Sequence, residues 1–104
     1  MLIDVNASDI QTSDAIYEHV HREVEKAMRN FADRVTRVEV HLKDVNANKG
    51  GIDKRCTMEV RLSGQNPMAV EHAADDLYLA ISGAATKLEN AVRNRLGKLD
   101  ARTS

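Results

Sequence analysis

Few side chains in this 104-residue chain are of a type that does covalent or metal chemistry. Cys56 is the single thiol. It falls at an inward position of an alternating segment, where Cys56, Met58, Val60 and Leu62 interleave with Arg55, Thr57, Glu59 and Arg61. A thiol in that place is a packed apolar group rather than a nucleophile. Four histidines are present. His19 and His21 stand two apart on a helical stretch and diverge. His41 takes the solvent side of a strand, and His72 lies near the end of another. No spacing brings them together as metal ligands. The "NKGG" stretch lacks the strand–loop–helix setting and the Lys-Ser/Thr ending of a phosphate loop. Asp75 and Asp76 are paired carboxylates, but they open a helix, where negative charge complements the helix dipole. The expectation is no catalytic residue, no metal and no cofactor, hence a binding protein and not an enzyme.

What remains is charge. Lys and Arg number 15 and Asp and Glu 16, for a formal net charge of -1. The distribution is uneven. The opening residues carry Asp4, Asp9, Asp14 and Glu18 before any Lys or Arg, whereas "KLENAVRNRLGKL" holds Lys87, Arg93, Arg95 and Lys98 against Glu89 alone. Such asymmetry points to a polyanionic partner while the total stays near zero. Arg93, Arg95 and Lys98 also suit the negative end of a helix dipole. That does not account for Lys87, or for Arg22, Lys26 and Arg29, which project from one face of an earlier helix at steps of four and three. Helical geometry puts Lys87, Asn90, Asn94 and Lys98 on one flank, and Asn with Lys suits phosphate and sugar contacts.

The elements that must position these groups follow from periodicity. "LIDVNA" alternates as a short strand. Thr12 or Ser13 can cap a helix whose apolar stripe is Ile16, Val20, Val24, Ala27, Met28 and Phe31. From Val35 the period becomes two, through Val38, Val40 and Leu42. "NANKGGID" reads as a hairpin loop, Cys56–Leu62 as a second such strand, "SGQNP" as a turn and "MAVEHA" as a third, shorter strand. The last helix has its stripe at Leu77, Ile81, Ala84, Leu88, Val92 and Leu99, with Gly97 weakening its final turn. The class is α+β: β-α-β-β-β-α, a four-stranded sheet with two helices packed on one face. Strands with one polar face require one covered face, and two amphipathic helices supply the cover. Side by side there, they would present a joint basic platform. A single domain over residues 1–99 and a short tail over 100–104 are expected.

Composition narrows the setting. Aromatics are 3%, so the core is aliphatic, and charged residues are 30%. There is no apolar run of membrane-spanning length, "MLIDVNASDIQ" does not read as a secretory signal, and one cysteine makes no internal disulfide. A reducing cytoplasm is the simplest location, with no membrane partner.

The stretches "DAIYEHVHREVEKAMRNFADRVTRVEVHLK" and "ADDLYLAISGAATKLENAVRNRLGKL" resemble the ribosome hibernation promoting factor family, also called the ribosome-associated inhibitor or sigma-54 modulation family. The similarity covers nearly the whole chain. It implies a fold similar to double-stranded RNA-binding domains with an extra first strand. It also implies binding to the small ribosomal subunit and its rRNA, across the channel for messenger and transfer RNA, with occlusion rather than chemistry as the act. Translation would be blocked and idle ribosomes preserved in stress and stationary phase. The chain is similar to the short form, a monomer off the ribosome, with room for a second hibernation factor as partner. Carried onto this sequence, the rRNA contacts implied are Lys26, Arg29, Lys87, Arg93, Arg95 and Lys98. Arg22, Asn90 and Asn94 join them from helix geometry, and Lys54 and Arg55 from their place beside the hairpin loop.

Two other readings compete. A stand-alone double-stranded RNA binder would want basic residues where Asp75 and Asp76 begin the last helix. A protein-interaction module would use the open sheet face, with Arg37, Glu39, His41, Lys43, Thr57, Glu59 and Arg61.

Overall fold

The computed structural model describes residues 1–45 and 53–103. Strand β1 (Leu2–Ser8) is followed by α1 (Asp14–Met28), a single 3-10 turn (Arg29–Phe31), β2 (Val35–Asp44), β3 (Lys54–Leu62), β4 (Met68–Ala74) and α2 (Leu77–Thr103). The four-stranded sheet has the order β1-β2-β3-β4. β1 runs parallel to β2, and the other two pairings are antiparallel. A parallel neighbour needs a crossover, and α1 provides it. The α+β architecture read from periodicity is the one found. The "NANKGGID" hairpin loop lies outside the described residues except for Asp53, which is buried.

Local chemistry explains the element ends. Asp9 takes a positive φ of 58°, a conformation Asp tolerates, and so turns the chain out of β1. Ser13 caps α1 by accepting the Ile16 N–H at 3.2 Å, while Thr12 donates instead to the Tyr17 hydroxyl. Asp76 Oδ1 accepts the Tyr78 N–H at 2.7 Å and starts α2. Between β3 and β4, Gly64 at φ 72° sits in a turn closed by the Gln65 N–H and the Leu62 carbonyl. Helix α2 runs past Leu99 to Thr103, so residues 100–103, expected from sequence as a tail, continue the helix. At 1.5 Å per residue, α2 is about 40 Å long.

The core lies between the sheet and the helix pair. Val20, Val24 and Met28 of α1 meet Val38, Val40 and Leu42 of β2, Cys56, Met58 and Val60 of β3, and Ile81, Leu88 and Val92 of α2, all fully buried. Ala80, Ala85 and Leu96 widen the stripe of α2 beyond the positions anticipated. Small residues bring α2 close to the sheet. A Cβ on Gly83 would stand 2.1 Å from the His72 ring of β4, so this helical glycine is required by contact and not by φ. Burial pushes the Cys56 thiol up to about 12, which makes it the inert core thiol that its strand position foretold.

Candidate nucleic-acid interface

The two helices lie side by side and point the same way. His19 of α1 shares a hydrogen bond with Ser82 Oγ of α2 at 3.0 Å and meets the Tyr78 ring edge-on at 5.0 Å. At the other end, the Arg93 guanidinium of α2 lies 5.9 Å from the centre of the Phe31 ring, just beyond α1. The start of one helix therefore faces the start of the other, and their later turns also adjoin. Asp14, Asp75 and Asp76 gather at the positive dipole ends, and Arg29 sits at the negative end of α1. But α2 runs on to Thr103, so Arg93, Arg95 and Lys98, expected at its negative end, lie more than a turn short of it.

Dipole pairing does not explain the mid-helix cations. Arg22 and Arg29 are seven residues apart, hence about 20° apart around α1, and both are exposed. Lys26 leans toward α2 and lines the groove between the helices with Glu23, Ser82, Thr86 and Glu89. Arg93 stands on the α2 wall of the same side and pairs with Glu89 at 2.6 Å, one helical turn back. These four form one ridge.

Lys87 belongs to another. Its Nζ donates to the Glu71 carbonyl of β4 at 3.0 Å, so that line of α2 hangs over the sheet edge, away from α1. Lys98 and Asn94 follow Lys87 down the helix within about 20°. Asn90 stands between the ridges, about 60° from each. Lys87, Asn94 and Lys98 therefore share a flank as expected, but it is the β4 flank, and Asn90 stands off it. Arg95 turns inward and is half-buried.

Lys54 and Arg55 are not part of this face. Lys54 is held by Asp53 at 2.9 Å and Asp44 at 3.2 Å, and its pKa is raised by those two hydrogen bonds, Asp53 first. A cation already neutralised on two sides has little left for phosphate. Arg55 lies on the open sheet face, 3.9 Å from Glu71.

That open face pairs most of its charges within itself, with Lys43 left exposed and without an ion pair among the described residues. The register sets Asp4, Glu39 and Glu59 in one row across β1, β2 and β3, a like-charge arrangement that is unfavourable alone. Cations in the neighbouring row offset it. Arg37 pairs with Asp4 and with Glu39, and Arg61 with Glu59. Acidic residues thus cross the sheet from Asp4 on the β1 edge to Glu59 on β3, with Glu71 on the β4 edge. By contrast, Arg22, Lys26, Arg29, Arg95 and Lys98 make no ion pair among the described residues.

The described residues contain no cluster of His, Cys, Asp or Glu that could hold a metal. No described helix is long and apolar enough to cross a membrane.

The sequence model of the family described as Sigma 54 modulation protein / S30EA ribosomal protein matches residues 3–100. The chain belongs to that family. The match runs from β1 into the last turns of α2, so it spans every element of the fold and both ridges. The family is one of ribosome-associated proteins. Among solved structures, the chain is similar to the N-terminal domain of Protein Y from Thermus thermophilus. The TM-score is 0.73 at 27% identity, covering 90% of this chain and 98% of that one. It is also similar to a ribosomal subunit interface protein from Coxiella burnetii, with a TM-score of 0.79 at 18% identity over 93% and 99% of the two chains. At the latter identity the likeness speaks to the fold alone. A search of curated proteins returned no match.

Two relationships carry no sequence signal. Spacing makes Phe31 the last member of a core stripe, and nothing marks it as a partner of Arg93. His19 looks like an ordinary helical histidine, and no local pattern announces a contact 63 residues away.

Proposed function

We propose that this chain is a ribosome hibernation factor of the cytoplasm. It binds the small ribosomal subunit in the channel for messenger and transfer RNA, blocks translation and preserves idle ribosomes. Its action is occlusion, and no side chain need do chemistry. Family membership supports the ribosome as partner. The charge pattern supports the helical layer as the docking face.

One observation carries that choice of face. Of the open-sheet cations, Arg37, Arg55 and Arg61 pair with carboxylates of the same sheet and Lys43 does not, whereas Arg22, Lys26, Arg29 and Lys98 are all exposed on the helical side without such partners. Unpaired cations on a rigid scaffold attract a polyanion and release its counterions on contact. The two ridges lie on different flanks of α2, about 120° apart, which suits a folded RNA surface with phosphates on both walls. Lys26, Arg29, Lys87, Arg93 and Lys98 then meet backbone phosphates, with Arg22, Asn90 and Asn94 beside them. Arg95 serves at the rim, and Lys54 and Arg55 contribute least. Residues 1–99 make up the binding domain, and the last helical turn prolongs it.

A free duplex-RNA binder is disfavoured by Asp75 and Asp76, which place carboxylates at the α2 start. The test is sedimentation of small subunits with the full chain. Wild type is expected in the subunit fraction, and the triple variant Lys26→Gln, Arg29→Gln, Lys87→Gln at the top of the gradient with an unchanged circular dichroism spectrum. Co-sedimentation of the triple variant equal to wild type would refute the assigned face.

A further inference from the structure

A cleft of about 390 Å³ lies where the end of α1 meets the later turns of α2, and of the ridge residues described above only Arg93 borders it. Asn30, Phe31 and Asp33 line one side, and Arg93, Gly97 and Asp100 the other. Phe31 is the chain's one phenylalanine. It is half-buried against the core, yet its ring also borders the cleft. The Arg93 guanidinium lies over that ring, 5.9 Å from its centre and at the outer range of a cation–π contact, which leaves the half-buried ring incompletely covered.

Gly97 sharpens the picture. Glycine weakens a helix interior, and nothing in the packing asks for it here, because a Cβ at this position would meet nothing within 4 Å. Its effect is to leave the cleft wall open.

The electrostatics select what can enter. The carbonyl end of α1 points toward this region, and the carboxylates of Asp33 and Asp100 line it. The two arginines that also line it are already engaged, Arg34 with Asp100 at 3.3 Å and Arg93 with Glu89. Phosphate is therefore disfavoured inside. A flat group with N–H donors on its edge is favoured, since carbonyls and carboxylates accept and an aromatic ring with a guanidinium plane stacks.

We propose that this cleft receives one unstacked nucleobase of ribosomal RNA, stacked on Phe31 and Arg93 with its amino edge toward the acceptors of Asn30 and Asp33. The flanking phosphates of that strand meet the cations outside. The proposal rests on the ribosomal function inferred above and adds to it a base-reading element that shares only Arg93 with the phosphate ridges.

The test uses isolated small subunits, the full-length chain, and three variants. Gly97→Leu fills the cleft from a position with free space and improves helix propensity, so it keeps the fold. Phe31→Leu keeps apolar packing and removes the stack. Lys26→Gln is the phosphate control. Loss of one stacked base lowers affinity about tenfold. Gly97→Leu and Phe31→Leu are expected to bind about tenfold more weakly with an unchanged salt slope, and one rRNA base shielded from chemical modification by wild type becomes reactive again. Lys26→Gln is expected to lower the salt slope while that base stays shielded. Wild-type affinity and an identical footprint for both cleft variants would overturn the proposal and leave the ribosomal function standing. Failure of wild type itself to bind would overturn both. Saturable binding of free guanosine or adenosine monophosphate by the chain alone, abolished by Gly97→Leu, would replace the RNA base with a small-molecule ligand and also overturn it.

Discussion

His19 of α1 and Ser82 of α2 meet through Nε2 and Oγ at 3.0 Å, and the same ring leans on Tyr78. This contact sets the starts of the two helices side by side, as Phe31 and Arg93 do farther along. The relative placement of the cationic ridges depends on both. His19→Ala removes one hydrogen bond and one aromatic contact, which together stabilise by roughly 1–2 kcal/mol. The melting temperature is expected to fall by about 5 °C or more, read by thermal circular dichroism. His19→Gln, which restores a polar partner for Ser82, is expected to recover part of the loss.

Gly83 and His72 mark a close approach of α2 to β4. The Cβ of Gly83→Ala would lie 2.1 Å from the imidazole, so the helix or the ring must shift, at a cost of roughly 1–3 kcal/mol despite the better helix propensity of alanine. Combining it with His72→Ala clears the space. The double variant is expected to be more stable than the sum of the single changes predicts, a coupling that chemical denaturation of the four proteins would measure.

The Cys56 thiol is fully buried and its pKa is raised from 9.0 to about 12 by desolvation. In the native state it is expected to resist maleimide and disulfide reagents at pH 8 and to react once the chain is unfolded in guanidinium. The linkage has a definite sign. Between pH 9 and 12 the unfolded chain loses this proton and the folded chain keeps it, so the contribution is complete below pH 9 and is lost as pH rises toward 12. Lys54, raised above its ordinary value by Asp53 and Asp44, acts in the same direction at still higher pH. Equilibrium unfolding as a function of pH is expected to show stability declining above pH 9, and the decline is expected to be shallower in Cys56→Ala.

Arg22, Lys26 and Arg29 contribute charge rather than packing, because they are exposed and make no ion pair among the described residues. Replacing each by Gln is expected to change the melting temperature little. For every phosphate no longer neutralised, the dependence of log affinity on log salt is expected to shrink by roughly 0.7–0.9. Binding to small subunits titrated across salt concentration measures that slope.

The fold was largely legible because its elements obey clean periods. The stripe Ile16, Val20, Val24, Ala27 and Met28 is wholly buried, and so is the alternation of Val38, Val40 and Leu42 with that of Cys56, Met58 and Val60. The candidate site was legible as residue types and not as an arrangement. Periodicity fixes which face of a helix is buried, but not which neighbour each flank meets. Lys87 hangs over β4, and Lys54 is neutralised by Asp44, ten residues away, as well as by adjacent Asp53. The contact of Gly83 with His72 and the pairing of Phe31 with Arg93 are tertiary facts with no local signature. The end of α2 is hidden in the sequence because Asp100, Ala101, Arg102 and Thr103 carry no apolar stripe to reveal that they continue the helix.

Because Cys56 is buried, a cysteine introduced on either face can be probed alone. Asn90→Cys lies on the outer side of α2 between the ridges, and Thr57→Cys lies on the open sheet face. The decisive measurement is the maleimide alkylation rate of each, free and with small ribosomal subunits in excess. Docking by the helical layer predicts that subunits slow alkylation at position 90 at least tenfold and change it far less at 57. Protection at 57 with unchanged alkylation at 90 would contradict it.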